Sequence, residues 1–182
     1  MKIIVGLGNP GEKYQKSRHN AGWLFLDYLI KEPVWKENKK FQALIHEEGG
    51  FMFVKPLTFM NNSGYSLRKI MDYYKLIPKQ LGLFNKKNCD LSDSLLIIQD
   101  ELDLDFGKIK LSVNSGSAGH RGIESVINHL KTNNFKRLRL GIKNELLKTK
   151  IPADKFVLQS FSQSELESLR TLANNYSPSS LF

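Results

Sequence analysis

A chain of 182 residues with 41% hydrophobic and 25% charged content is long enough for one domain with a sizeable core and too apolar for intrinsic disorder. One cysteine, Cys89, excludes an internal disulfide and a cysteine-rich metal site, and it suits a reducing cytoplasm. The formal charge of +9 is concentrated: between Gly107 and Lys150 ten Lys/Arg stand against two acids, Glu124 and Glu145. Such a stretch fits a polyanionic partner, because each phosphate neutralised releases counterions. A solvated basic face is the alternative.

In chain order, Lys2 to Val5 reads as a buried strand. The apolar run there, cut off by Asn9 and Pro10, is too short for a signal-peptide core or a membrane span. A cytoplasmic protein with no membrane attachment is therefore expected. Ala21, Leu24, Phe25, Tyr28 and Leu29 follow helical spacing, which predicts a helix starting near Asn20 as its cap. Phe41 to His46 and Phe51 to Lys55 read as strands joined in a hairpin at Gly49-Gly50. Ser63 caps a second predicted helix carrying Leu67, Ile70, Met71 and Tyr74 on one face and stopped by Pro78.

The stretch from Lys79 to Asp93, with Gly82, Asn85, Lys86, Lys87 and Asn88, has no periodicity and reads as an exposed loop. Leu95 to Ile98 is a buried strand ending at Gln99-Asp100-Glu101. Lys108 to Leu111 alternates, placing its lysines on one strand face. Ser115 to Gly122 leads into a helix with Ile123, Val126, Ile127 and Leu130 along one side. Arg137 to Ile142 reads as a strand with two arginines on its outer face, followed by a polar, mobile segment from Lys143 to Pro152. Ser162-Gln163-Ser164-Glu165 is a capping box opening a last helix through Leu166, Leu169 and Ala173. This alternation predicts a single α/β domain over residues 1–182, with a twisted mixed, largely parallel sheet flanked by helices on both faces.

His19 is the first candidate for chemistry, since imidazole exchanges a proton near neutral pH. It follows the loop Gly6-Leu7-Gly8-Asn9-Pro10-Gly11 and is framed by Arg18 and Asn20. That loop matches a dinucleotide fingerprint, but Pro10 and the polar run from Glu12 to Arg18 delay the helix that would meet a pyrophosphate. A tight strand-to-helix turn is the better reading of the glycines, with Asn9 left exposed. Asp100, the first acid after an apolar strand, could fix the histidine tautomer, although Glu101, Asp103 and Asp105 are equally acidic neighbours. Phe59-Met60-Asn61-Asn62-Ser63-Gly64 precedes a helix start, where amide donors suit an oxygen gaining negative charge. His46, His120 and His129 are scattered, with no metal-ligand spacing.

Taken together, these stretches resemble the bacterial peptidyl-tRNA hydrolase family. The matching blocks are Val5 to Gly11 with Tyr14, Arg18-His19-Asn20-Ala21-Gly22, Lys55-Pro56, and Thr58 to Gly64. They continue with Asp100 to Leu104, Gly119-His120-Arg121-Gly122-Ile123 and Phe135 to Ile142. The resemblance implies cofactor- and metal-independent hydrolysis of the ester joining peptide to tRNA, by a monomer needing no obligate protein partner. His19 would activate water and Asp100 would support its basic form. Asn61 would bind the peptide or the tRNA 3′ end and help stabilise the oxyanion, while Asn9 would sense the blocked amino group. Tyr14, Phe59 and Met60 would line the 3′-end site, and Lys110 and Arg139 would grip tRNA phosphates.

The chain departs from the family's pattern in three places. Arg121 stands where asparagine is usual, in a position thought to shape the cleft and hold substrate. The loop from Lys79 to Asp93 is longer than usual, and the last helix is short before Phe182, implying fewer tRNA contacts. The rival readings are a non-catalytic RNA-binding relative of the same fold and a nucleotide-dependent oxidoreductase. Retention of His19, Asp100, Asn9 and Asn61 favours the enzyme over the first, and the delayed helix argues against the second.

Overall fold

Two apolar strands buried on both faces set the centre of the sheet. A computed structural model describes residues 1–80, 84–85, 87–148 and 151–182. In it β1 (Lys2–Gly6) lies between β4 (Phe51–Pro56) and β7 (Leu95–Asp105). With β2 (Lys36–Asn38), β3 (Ala43–Glu48), β8 (Ile109–Val113) and β9 (Lys136–Lys143), the order is β2-β3-β4-β1-β7-β9-β8. Ile3, Val5, Leu95 and Ile97 enter one core, and Ile4, Leu96 and Ile98 enter the other. This is why the strands read as unbroken apolar runs.

Helices α2 (Ser63–Tyr73) and α3 (Arg121–Leu130) cover the first core, contributing Leu67, Ile70, Ile123 and Val126. Helices α1 (Ala21–Leu29) and α6 (Gln163–Asn174) cover the second, contributing Phe25, Leu26, Leu166 and Leu169. Each such side chain stabilises the fold by roughly 1.5–3 kcal/mol when fully buried, before the entropy of ordering it is subtracted. The helices following β1 and β4 thus lie on opposite faces, which opens a crevice at the carboxyl ends of these parallel strands. Gly22 makes this close packing possible, since a Cβ there would meet the Ile98 carbonyl oxygen at 2.4 Å and the Leu7 nitrogen at 2.6 Å.

The sheet is evenly mixed, not largely parallel. The pairs β1–β4, β1–β7 and β7–β9 are parallel, while β2–β3, β3–β4 and β8–β9 are antiparallel. The two-residue connection at Gly49-Gly50 permits only an antiparallel partner. The turn at Gly107 (φ 85) reverses β8 against the parallel strands. The capping box predicted at Ser162 is present, with Glu165 bonded back to the Ser162 nitrogen at 2.8 Å.

Several local readings are corrected. Asn20 stands at the cap position of α1 but its side chain makes no capping bond, and Ser63 is the first residue of α2, not its cap. Both helices start from short 3-10 turns, at Arg18–Asn20 and Met60–Asn62, and Ser63 donates to the Met60 carbonyl. Helix α2 ends at Tyr73, before a left-handed Lys75 (φ 55), well ahead of Pro78. Between Lys79 and Asp93, β5 (Lys79–Gln80) pairs with β6 (Phe84–Asn85), and Cys89 and Leu91 are core residues. Gly82 and Lys86 of that stretch lie outside the described residues. The predicted mobile segment after Lys143 contains α4 (Glu145–Lys148), and α5 (Ala153–Phe156) follows it; residues 149–150 lie outside the described residues. Strand β7 continues past Asp100 to Asp105, and β2 was not foreseen.

The two arginines of β9 lie on the face opposite Leu138 and Leu140, but that face is covered there and is not an outer one. Arg137 is 2% exposed and donates to the Gly116 carbonyl at 2.9 Å. Arg139 donates to Glu101 at 2.7 Å.

Candidate active site

A 3-10 turn sends consecutive side chains in different directions, and Arg18–Asn20 uses all three. Arg18 pairs with Glu165 at 2.9 Å, and its guanidinium lies between the rings of Phe156 and Phe161 at 4.8 and 4.9 Å. Asn20 holds Asn9 at both ends of the residue, accepting from its nitrogen at 2.9 Å and donating to its oxygen at 3.0 Å. Between them, His19 Nδ1 lies 2.9 and 3.0 Å from the two carboxylate oxygens of Asp100. The His19 backbone is fixed separately, its N–H donating to the Val157 carbonyl at 2.8 Å.

Asp100 is 2% exposed and sits within a strand, not at its tip. Burial opposes its ionisation, but the imidazoles of His19 and His120 more than offset this and hold its carboxyl far below the usual range. Burial likewise disfavours the charged form of His19, and the Coulomb attraction and hydrogen bond of Asp100 outweigh it. The His19 pKa is raised above the ordinary 6.5, with Arg121 acting in the opposite sense. The neighbouring acids are distinguished by their surroundings. Glu101 is tied to Arg139, while Asp103 and Asp105 are exposed.

These residues open on a cleft of about 730 Å³ lined by Asn9, His19, Phe59, Met60, Asn61, Asp100 and Arg121, with Val157 and Leu158 on another wall. Asn9 is buried, not exposed as expected: its Oδ1 accepts the Met60 N–H at 2.8 Å. Backbone amides at the start of α2 are largely occupied, since Asn62 N–H goes to Phe59 and Gly64 N–H to Ser125 Oγ. The exposed Asn61 side chain is the donor available there. Phe59 is 58% exposed at the cleft. Tyr14, Lys110 and Arg139 do not line it. Lys13 covers the Tyr14 ring at 4.8 Å, and Lys110 and Arg139 are register partners on the β8–β9 ladder.

The sequence reading of His120 as one of several scattered histidines is overturned. Its Nε2 lies 3.0 Å from Asp100 Oδ1, and its Nδ1 accepts two backbone N–H groups as the cap of α3. Its signals were the family-like block Gly119-His120-Arg121-Gly122-Ile123 and a position just ahead of a predicted helix, and histidine is not among the usual caps. His19, Asp100 and His120 offer ligand atoms within 4.8 Å of one another, a spacing a cation could bridge. A metal would need the His120 Nε2 lone pair, and with Nδ1 already accepting, that nitrogen carries the proton. The donor set fits hydrogen bonding better than coordination.

Among the described residues no helix is long and apolar enough to cross a membrane. Residues 3–179 match the model of the peptidyl-tRNA hydrolase family. A peptidyl-tRNA hydrolase of Mycoplasma capricolum is 40% identical over 182 residues, covering 97% of this chain and 89% of that protein. One from Listeria welshimeri is 40% identical over 171 residues, covering 91% of this chain and 83% of its own. The crystal structure of peptidyl-tRNA hydrolase from Acinetobacter baumannii superposes with a TM-score of 0.76 at 29% identity, over 96% of this chain and 83% of that one. The chain belongs to the peptidyl-tRNA hydrolase family.

Proposed function

We propose that this protein hydrolyses the ester between peptide and tRNA, with His19 as general base, acting as a cytoplasmic monomer in translation. The observation that carries the reading is the His19–Asp100 hydrogen bond inside a cleft also lined by Asn9 and Asn61. A carboxylate can only accept, so the His19 proton facing it is on Nδ1 and the Nε2 lone pair is free to take a proton from water. The resulting hydroxide adds to the ester carbonyl, and the Asn61 amide donates to the oxygen that becomes negative. Collapse of this intermediate breaks the bond to the ribose oxygen, which recovers the proton from the His19 imidazolium. Water and ester are thereby converted to a free peptide acid and tRNA.

Asn9 supports selection for a blocked amino group. With its Oδ1 held by Met60 N–H, the atom it offers substrate is the donor Nδ2. A donor there matches the carbonyl oxygen of an acylated amine and repels the ammonium of a free aminoacyl group. The test is to follow ester loss from N-acetylated and free aminoacyl-tRNA side by side. Hydrolysis of the acylated form alone is expected. Equal loss from both removes Asn9 as the selector, and loss from neither removes the enzymatic reading.

The tRNA contact is proposed to involve exposed Lys110, with Tyr14, Phe59 and Arg121 nearer the 3′ end. Arg139 contributes less than its charge suggests, because Glu101 neutralises it at 2.6 Å. Lys110→Ala is expected to reduce the slope of log affinity against log salt by about one unit. Equal slopes, read by filter binding across a salt series, would take Lys110 out of the contact.

A further inference from the structure

His120 faces two kinds of partner that together fix its tautomer. The backbone N–H groups of Gly122 and Ile123 point at its Nδ1 from 3.1 and 3.3 Å. Amides only donate, so Nδ1 presents a lone pair and the ring's proton is on Nε2, 3.0 Å from Asp100 Oδ1. A proton on Nδ1 would set N–H against N–H at the positive end of α3. The two imidazoles, with centroids 5.0 Å apart, therefore share one carboxylate as two donors.

We propose that His120 is a positioning residue for the hydrolysis: the amides of α3 lock it as a donor, and by occupying part of Asp100 it orients the carboxylate and limits how firmly His19 retains a proton. This rests on the reading of His19 as the base. A base works best when its pKa lies near the working pH, and a buried carboxylate left wholly to one imidazole would hold it charged. The other charges around His19 are Arg121 on α3, which also opposes its protonation, and Asp103 of β7 and Asp154 of α5, which line the same cleft. Glu101 is neutralised by Arg139, and the Arg18–Glu165 pair adjoins His19 through the chain. None of these charged side chains is removed when residue 120 is replaced by asparagine, which keeps a capping oxygen at the start of α3.

The decisive variant is His120→Asn, whose side-chain oxygen still suits the cap of α3 while its shorter amide gives up the bond to Asp100. Two-bond ¹H–¹⁵N correlation spectra of the unmodified protein should show His120 protonated on Nε2. The His19 titration midpoint, followed by NMR, and the acid limb of kcat/KM should both move upward in His120→Asn by about half a pH unit. That corresponds to about a threefold lower rate on the acid limb. A role confined to capping would leave the midpoint in place. An unmoved or lowered midpoint, or His120 protonated on Nδ1, overturns the proposal, and the tautomer decides alone if the variant does not fold. Because the His19 titration is read without turnover, this failure is distinct from failure of the hydrolytic reading, which would show as activity surviving without His19.

Discussion

His19→Ala is expected to lower kcat/KM for peptidyl-tRNA by about 10²–10⁴-fold, the usual range for loss of a general base, while tRNA affinity stays close to that of the unmodified protein. The ring lies within the cleft, whereas the basic Lys110 stands outside it, so the proposed chemistry and the proposed tRNA contact fall on different side chains. Single-turnover hydrolysis and equilibrium binding, measured in parallel, separate the two. Comparable turnover in the variant would remove the assigned base. The sign of the pH dependence follows from the raised pKa. In the proposed reaction the active form is the neutral ring, so the rate is expected to fall as pH drops through a midpoint above the ordinary 6.5, by tenfold per unit below it. Asp100 keeps His120 as a partner in the variant, and a thermal melt checks that the fold survives.

Asp100→Asn is expected to reduce kcat/KM by about 10²–10⁴-fold through a different route. The substitution replaces one acceptor oxygen with an NH₂ group between two imidazole N–H donors. Since the amides of α3 hold His120 in one tautomer, His19 is the ring that must give way, by turning or by moving its proton to Nε2. Either response withdraws the lone pair that would meet water. With the carboxylate charge gone, burial and Arg121 are left to act on His19, so the acid limb of the residual activity should move to lower pH. That is the opposite of the shift expected for His120→Asn. A near-normal rate with an unmoved limb would show that the carboxylate is not needed.

Much of this arrangement was legible because it is local. The apolar runs of β1 and β7, the Gly49-Gly50 hairpin and the Ser162 capping box each need only a few neighbouring residues to be recognised. The family-like blocks brought His19, Asp100, Asn9 and Asn61 to attention before any contact between them was visible. What failed depended on partners that the pattern of apolar residues does not display. The Lys36–Asn38 strand, with no apolar residue, exists because β3 offers it an edge. Glu101-Leu102-Asp103-Leu104-Asp105 carried a readable period of two, but its acids suggested a turn. Arg137 and Arg139 alternate as on any strand, and periodicity does not tell an open sheet face from a covered one. Asn9 and Asn20 were read as available and as a cap because their bond spans a loop.

Arg18 and Glu165 are 147 positions apart, and the His19 backbone is anchored by Val157. During synthesis residues 18 and 19 leave the ribosome long before Val157 and Glu165, which hold them in place. A nascent chain can build β1 and its first neighbours, yet these two anchors of the His19 turn are missing until residues 157–165 emerge and close this long loop. Rigidity of the turn that carries His19 would thus come late in synthesis, after β9, the last strand of the main sheet, has been made.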